Sequence, residues 1–221
     1  MEKLISGMTD FLITLPVILI ALSIHELCHG YAAYRLGDPT AKYMGRLSMN
    51  PLRHLDPIGF LCLLFFKVGW AKPVSVDTRF FKNPKRDMAI CALAGPLSNF
   101  VLAFVFSFVY VFTIKIGVSN GYYWSESATV FQVIYQMMAY MVSINLGLGV
   151  FNLIPIPPLD GSKVLYSFLP DRLLCRILPY ERYVQLGMFL LLWIGVLSRP
   201  IDAVVTFFFT LFMNIAGGVI L

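Results

Sequence analysis

The chain has 221 residues, of which 58% are hydrophobic and 13% are charged, and its formal net charge is +5. Because a soluble domain carries about 25% charged residues, this composition excludes an ordinary soluble fold and predicts a helical membrane protein. The basic residues concentrate in particular connections between apolar segments, which indicates membrane topology and no nucleic-acid partner.

The first apolar segment, residues 11–34, is long enough to cross a hydrocarbon core that needs roughly 20 helical residues. It lacks the basic start and the small-residue cleavage site of a secretory signal, so we interpret it as a retained span. Residues 35–87 then carry ten of the seventeen basic residues and four acidic ones. The positive-inside rule therefore places this loop in the cytoplasm. Within it, the apolar stretch 58–66 is too short for a crossing and favours a re-entrant or interfacial hairpin.

Two further spans are predicted near residues 88–114 and 129–156. Their connection, residues 115–128, has one lysine and one glutamate, which is typical of an exterior loop. Residues 160–182 are basic again. We therefore predict that they face the cytoplasm, as residues 35–87 do.

Two C-terminal spans, near residues 183–198 and 201–221, complete the predicted architecture. It is an all-α, polytopic membrane bundle with about five to six spans and one short hairpin. Spans and their connections use the whole chain. Residues 1–221 are therefore predicted to form a single membrane-embedded domain without an attached soluble module.

The first span contains a pattern that is typical of metal-dependent hydrolases. His25 and His29 lie one helical turn apart on the same face, and Glu26 lies between them. In this HExxH pattern the two imidazoles bind a metal ion and the glutamate acts as general base. Both histidines could instead be ordinary helix residues with satisfied hydrogen bonds. Ionisable groups inside a membrane are costly without partners, however, and this favours a functional site.

A catalytic zinc ion normally has three protein ligands and a water, so a third ligand must come from elsewhere in the chain. The best candidate is Asp160, which follows three prolines at the end of the span predicted near residues 129–156. Prolines cannot continue a regular helix, and unwound backbone at membrane depth requires surrounding protein or a water-filled cavity. Gly161 would permit a tight turn behind Asp160.

At these motifs the chain resembles the site-2 proteases, a family of intramembrane zinc metalloproteases, as a compact member without extra domains. The resemblance rests on residues 25–29, 94–99 and 152–161, with supporting stretches at 50–59 and 69–74. It implies that Zn²⁺ is bound by His25, His29 and Asp160 and that Glu26 is the base. It also implies an active site toward the cytoplasmic side of the cell membrane.

Two further polar residues are candidates for contacts in the active site. His54 lies in the stretch that looks like one of the family's motifs, and could be a gate, a proton donor or a substitute ligand; otherwise it packs in the hairpin. Asn152 could bind the oxyanion or the substrate backbone. Its alternative is an interhelical hydrogen bond, which is also our interpretation of Asn99 and Asn145.

The sequence thus predicts hydrolysis of peptide bonds in or near the single transmembrane segment of another membrane protein. A second interpretation keeps the same metal site and makes the substrate a lipid or a lipid-linked amide. A third is a metal transporter, which would need several polar sites along a path. The chain offers one compact cluster that contains a general base, and this favours the protease.

Overall fold

A computed structural model of the chain describes residues 2–59, 72–122 and 129–220. Helices account for most of these residues and no β-strand occurs among them, which confirms the predicted all-α class. The helices are α1 (Glu2–Arg35), α2 (Thr40–Tyr43), α3 (Pro84–Ser119), α4 (Thr129–Asn152), α5 (Asp160–Phe168), α6 (Asp171–Ile177), α7 (Glu181–Trp193) and α8 (Ser198–Ile220). Short 3₁₀ helices lie at Pro51–Arg53, Thr78–Phe80 and Leu178–Tyr180.

Four of these helices, α1, α3, α4 and α8, are long and apolar enough to cross a membrane. They correspond to four of the predicted spans, so the chain is a multi-pass membrane protein. The remaining predicted span, residues 183–198, corresponds to α7, which has 13 residues. At about 1.5 Å per residue this helix is shorter than a hydrocarbon core of about 30 Å. The predicted total of five to six spans is therefore not confirmed, and residues 60–66 of the predicted hairpin lie outside the described residues.

Helix α3 lies at the centre of the described structure, where it contacts α1, α4, α5 and α8. Its apolar contact with α4 is formed by Ala103, Tyr110, Val142 and Leu146, all of which are buried. Gly149 lets the two helices approach closely, because a Cβ there would lie 3.3 Å from the carbonyl oxygen of Pro96. Small residues serve this purpose in membrane bundles, where helix contacts depend on packing. This packing fixes the relative positions of the helices that carry the polar residues.

The turn between α4 and α5 brings the start of α5 back against the end of α4. Helix α4 ends at Asn152, four residues before the predicted limit, because prolines follow. A Cβ on Gly161 would lie 2.3 Å from the carbonyl oxygen of Leu153. No other residue would fit there without moving the backbone, so this glycine is required for the turn that directs Asp160 inward.

The segment 72–77 has no regular secondary structure and passes close to the C-terminal half of α1. Its far end is anchored by Asp38, which is fully buried. One carboxylate oxygen of Asp38 accepts a hydrogen bond of 2.7 Å from the backbone N–H of Asp77, and the other accepts one of 2.9 Å from the N–H of Thr40. Asp38 therefore connects the end of α1 to the segment 72–77.

Candidate metal centre

Two histidines of α1 and a distant aspartate of α5 converge where α1, α3 and α5 meet. The Nε2 atoms of His25 and His29 lie 3.0 Å apart. Oδ2 of Asp160 lies 3.2 Å from Nε2 of His25 and 3.0 Å from Nε2 of His29. All three residues are buried. Among the described residues, they form the group of side chains that could hold a metal ion.

The spacing of these atoms suits zinc. Four-coordinate zinc with ligand distances of about 2.0–2.2 Å separates its ligand atoms by about 3.3 Å, close to the 3.0–3.2 Å observed here. Two imidazoles and one carboxylate also match the ligand set of a catalytic zinc site, in which a fourth position stays open for water.

The hydrogen bonding of His29 supports the same conclusion. Its Nδ1 lies 2.7 Å from the carbonyl oxygen of Cys91 on α3. A carbonyl can only accept, so Nδ1 carries the hydrogen and Nε2 of the neutral ring carries a lone pair. A lone pair directed at the carboxylate of Asp160 suits a metal ion bound between the two groups.

The two oxygens of the Asp160 carboxylate face different partners. Oδ2 faces the histidines, whereas Oδ1 lies 3.1 Å from Nζ of Lys163 on the next turn of α5. The lysine thus engages one oxygen and leaves the other for the histidine side of the site. This arrangement favours a carboxylate that would bind a metal through a single oxygen.

A glycine on α3 makes room for the two imidazoles. A Cβ on Gly95 would lie 2.3 Å from Nε2 of His29 and 2.8 Å from Cε1 of His25. Any side chain at this position would therefore displace both rings. Gly95 therefore allows the two imidazoles to approach the backbone of α3 closely.

Glu26 lies beside this cluster and contacts the segment 72–77. The backbone N–H of Val74 donates a hydrogen bond of 2.9 Å to Oε2 of Glu26. One oxygen of the carboxylate is thereby oriented by the protein, while the carboxylate itself is not one of the three clustered donors. This is the arrangement that a general base beside a metal ligand requires.

His54 and Asn152 do not belong to the described cluster. His54 is buried, and its Nε2 lies 2.7 Å from the carbonyl oxygen of Ser48. Its Nδ1 has no hydrogen-bond partner among the described residues. The amide of Asn152 donates to the carbonyl of Leu148 within its own helix at 3.0 Å. The active-site roles of these two residues therefore remain predictions.

Sequence reasoning missed the part that Asn99 and Val74 have in the site. Asn99 makes the predicted interhelical hydrogen bonds, and one of them is to the cluster, because its Oδ1 lies 2.6 Å from Nδ1 of His25. The available signal was an amide in an otherwise apolar span, which needs a partner. No local pattern indicated Val74, because its contribution comes from the backbone.

Comparison with known proteins agrees with this geometry. The model of peptidase family M50 matches residues 13–195, a range that includes the two histidines, Glu26 and Asp160. The chain belongs to peptidase family M50. This confirms the resemblance to the site-2 proteases, and it makes the chain a zinc-dependent membrane metalloprotease.

Relatives from bacteria and archaea give the same result. YwhC of Bacillus subtilis is 37% identical over 75% of this chain and 73% of its own length. Rip2 of Mycolicibacterium smegmatis is 28% identical over 90% of this chain and 73% of its own length. MJ0611 of Methanocaldococcus jannaschii is 32% identical over 70% of each chain. All three are provisionally named zinc metalloproteases. No solved structure is significantly similar to the chain.

Proposed function

We propose that this M50 peptidase cleaves peptide bonds in or near the transmembrane segment of another membrane protein, with His25, His29 and Asp160 as zinc ligands. The observation that carries the proposal is the convergence of three buried donor atoms beside Glu26 on a helix that can cross the membrane. A hydrolytic site in that position acts on substrates that enter from the lipid. Residues 1–221 act in it as one membrane-embedded domain.

The metal and the side chains would have separate roles in the reaction. Bound zinc supplies a Lewis acid that activates water and stabilises negative charge on the scissile carbonyl. Glu26 takes the proton of the attacking water and then delivers it to the leaving amine. The N–H of Val74 holds Oε2 of Glu26, so the second oxygen is the one available for this transfer.

The substrate must be extended before it can react, because a helix hides its peptide bonds. The segment 72–77 lies beside Glu26 without regular secondary structure, and in this proposal it offers N–H and carbonyl groups to an unwound substrate strand. Asn152 would add a contact to the substrate backbone after its side chain rotates away from Leu148. His54 would serve as a gate, or as a proton donor once its Nδ1, which has no hydrogen-bond partner among the described residues, has taken up a proton.

The active site opens toward the cytoplasm in this proposal. The N-terminal end of α1 faces the exterior of the cell, and the HExxH motif lies in the C-terminal half of that helix. The basic excess of residues 35–87 favours this orientation under the positive-inside rule. Asp160 begins the second basic region and so reaches the site from the same side.

The test is cleavage by the purified full chain in proteoliposomes, with a single-span protein in one arm and a lipid-linked amide in the other. We expect cleavage of the protein at bonds within or next to its span, as located by mass spectrometry. A zinc chelator should abolish cleavage and added Zn²⁺ should restore it. Hydrolysis of the lipid amide without cleavage of the protein would overturn the proposal, and so would cleavage that persists after zinc is removed.

A further inference from the structure

A chain of buried amides leads from His25 into the middle of the helix bundle. Asn99 on α3 and Asn145 on α4 are both fully buried. Oδ1 of Asn99 lies 2.6 Å from Nδ1 of His25, and Nδ2 of Asn99 donates to Oδ1 of Asn145 at 2.9 Å. Nδ2 of Asn145 donates to the backbone carbonyl of Met141 at 2.8 Å. These hydrogen bonds therefore connect the imidazole of His25 on α1 to α3 and α4.

The direction of every bond in this chain follows from its last member. The carbonyl of Met141 can only accept, so Asn145 must turn its NH₂ group toward it and its oxygen toward Asn99. Asn99 must then present its own NH₂ group to Asn145, which leaves Oδ1 facing His25. Since Oδ1 accepts, Nδ1 of His25 carries the hydrogen.

A second contact gives the same orientation of Asn99. Its Nδ2 lies 3.4 Å from the carbonyl oxygen of Ala21 on α1, which is also an acceptor only. The NH₂ group thus has two acceptors, and a rotated amide would place its oxygen against both of them. In a buried site such an arrangement leaves polar groups unsatisfied, which is unfavourable.

From these contacts we propose that Asn99, oriented by Asn145, is a positioning residue that accepts from Nδ1–H of His25 and so directs the Nε2 lone pair of that ring at the metal. The inference rests on the proposed function, because it takes His25 as a zinc ligand. Asn99 does for His25 what the carbonyl of Cys91 does for His29. Because the partner of His25 is a side chain, a substitution of Asn99 can remove it.

The expected effect is on metal affinity. Outer partners of metal-ligating histidines typically contribute 10–100-fold to affinity. Asn99→Leu removes the acceptor at similar size and should weaken zinc binding by about tenfold or more. Asn99→Asp keeps an acceptor for the N–H of His25, although it removes both donations by the amide. It should therefore bind zinc close to the wild-type strength.

The experiment measures the zinc dissociation constant of the full chain in detergent by competition with a chromophoric chelator. The visible spectrum of the Co²⁺ form reports the geometry of the site. Ser107→Ala is the matched control, because Ser107 is also fully buried on α3 and donates to the carbonyl of Phe104. We expect an altered Co²⁺ spectrum for Asn99→Leu and unchanged spectra for Asn99→Asp and Ser107→Ala.

A purely structural role for Asn99 predicts a different result. Asn99→Asp would then weaken zinc binding as much as Asn99→Leu, because it loses the same interhelical donations, and this would overturn the inference. Wild-type affinity in Asn99→Leu, together with loss of zinc in His25→Ala, would overturn it and leave the proposed ligands intact. If the wild-type chain binds no zinc, both proposals fail.

Asn145 provides a second test, which also applies if Asn99→Leu does not fold. Asn145→Leu removes the nearer of the two acceptors that orient the amide of Asn99, so it should weaken zinc binding several-fold. In an Asn99→Asp background the same change should have little further effect, because a carboxylate accepts in either orientation. Equal losses in the two backgrounds would contradict the role of Asn145.

Discussion

The backbone N–H of Val74 and the carboxylate of Glu26 are joined by a hydrogen bond of 2.9 Å. This contact connects the proposed base to the segment 72–77, whose other end is anchored on Asp38. The orientation of Glu26 therefore depends on a backbone group that follows it by 48 residues.

Val74→Pro removes this N–H and should lower the rate of proteolysis without loss of zinc. A hydrogen bond to a charged group contributes about 1.5–3 kcal/mol, so we expect roughly a tenfold or larger fall in kcat. Val74→Ala keeps the N–H and is the matched control. Steady-state cleavage and metal content should be measured together. Equal activity of the two variants would show that the contact does not orient the base.

Gly95→Ala should remove both metal and activity. The added Cβ would lie 2.3 Å from Nε2 of His29, and the backbone of α3 cannot move away while it is packed against α4. Gly147→Ala is the control, because a Cβ there meets nothing within 4 Å. Metal content by mass spectrometry checks the prediction, and thermal unfolding shows that both variants fold. Full zinc occupancy in Gly95→Ala would contradict the described geometry.

Periodicity and composition were sufficient for the helical class and for four of the spans. The span predicted at residues 183–198 is not confirmed, because this apolar stretch forms the short helix α7 and then a turn at Gly195, whose φ is +80°. Hydropathy is averaged over a window and does not register such a turn. The end of α4 was predicted four residues late for a related reason, because residues 153–156 are apolar on average although Pro155 lies among them and two more prolines follow.

The donor residues of the metal centre could be predicted because each lies in a local pattern. His25 and His29 share a helical face, and Asp160 follows a run of prolines. The surrounding contacts could not be predicted. Asn99 and Val74 act through positions that only the packing of α3 and the path of residues 72–77 define. Such contacts depend on tertiary structure, and no spacing of residues in the sequence indicates them.

The third metal ligand can be identified by comparing Asp160→Ala with His54→Ala. Oδ2 of Asp160 lies within 3.2 Å of both Nε2 atoms, whereas His54 contacts Ser48. We expect Asp160→Ala to lose most of its zinc and its activity together, while His54→Ala keeps its zinc. Zinc titration of the purified variants checks this. The opposite result would make His54 the ligand.

The orientation of the chain can be tested with single cysteines at Lys42 and Ser119, in a variant without the native cysteines. Both positions are exposed, and they lie on opposite sides of one predicted crossing, which α3 makes. The basic excess of residues 35–87 places Lys42 in the cytoplasm. A membrane-impermeant maleimide added to intact cells should therefore label position 119 and not position 42. Labelling at both positions would contradict the predicted topology.

Glu26→Gln separates catalysis from metal binding. The glutamine keeps the size of the side chain and an oxygen that can accept from the N–H of Val74, but it cannot take a proton from water. Since a positioned general base contributes typically 10²–10⁴ in rate, cleavage of a single-span substrate should fall by that factor. Zinc should stay bound, because Glu26 is not one of the three clustered donors.

The control for this variant is Glu26→Ala, which also removes the acceptor for Val74. It should be at least as inactive as Glu26→Gln and should keep its zinc as well. The substrate should form a stable complex with Glu26→Gln that co-purifies in detergent, because binding no longer leads to cleavage. A metal transporter would behave differently, since flux requires no general base. Wild-type cleavage by Glu26→Gln with zinc bound would therefore exclude Glu26 as the base of this peptidase.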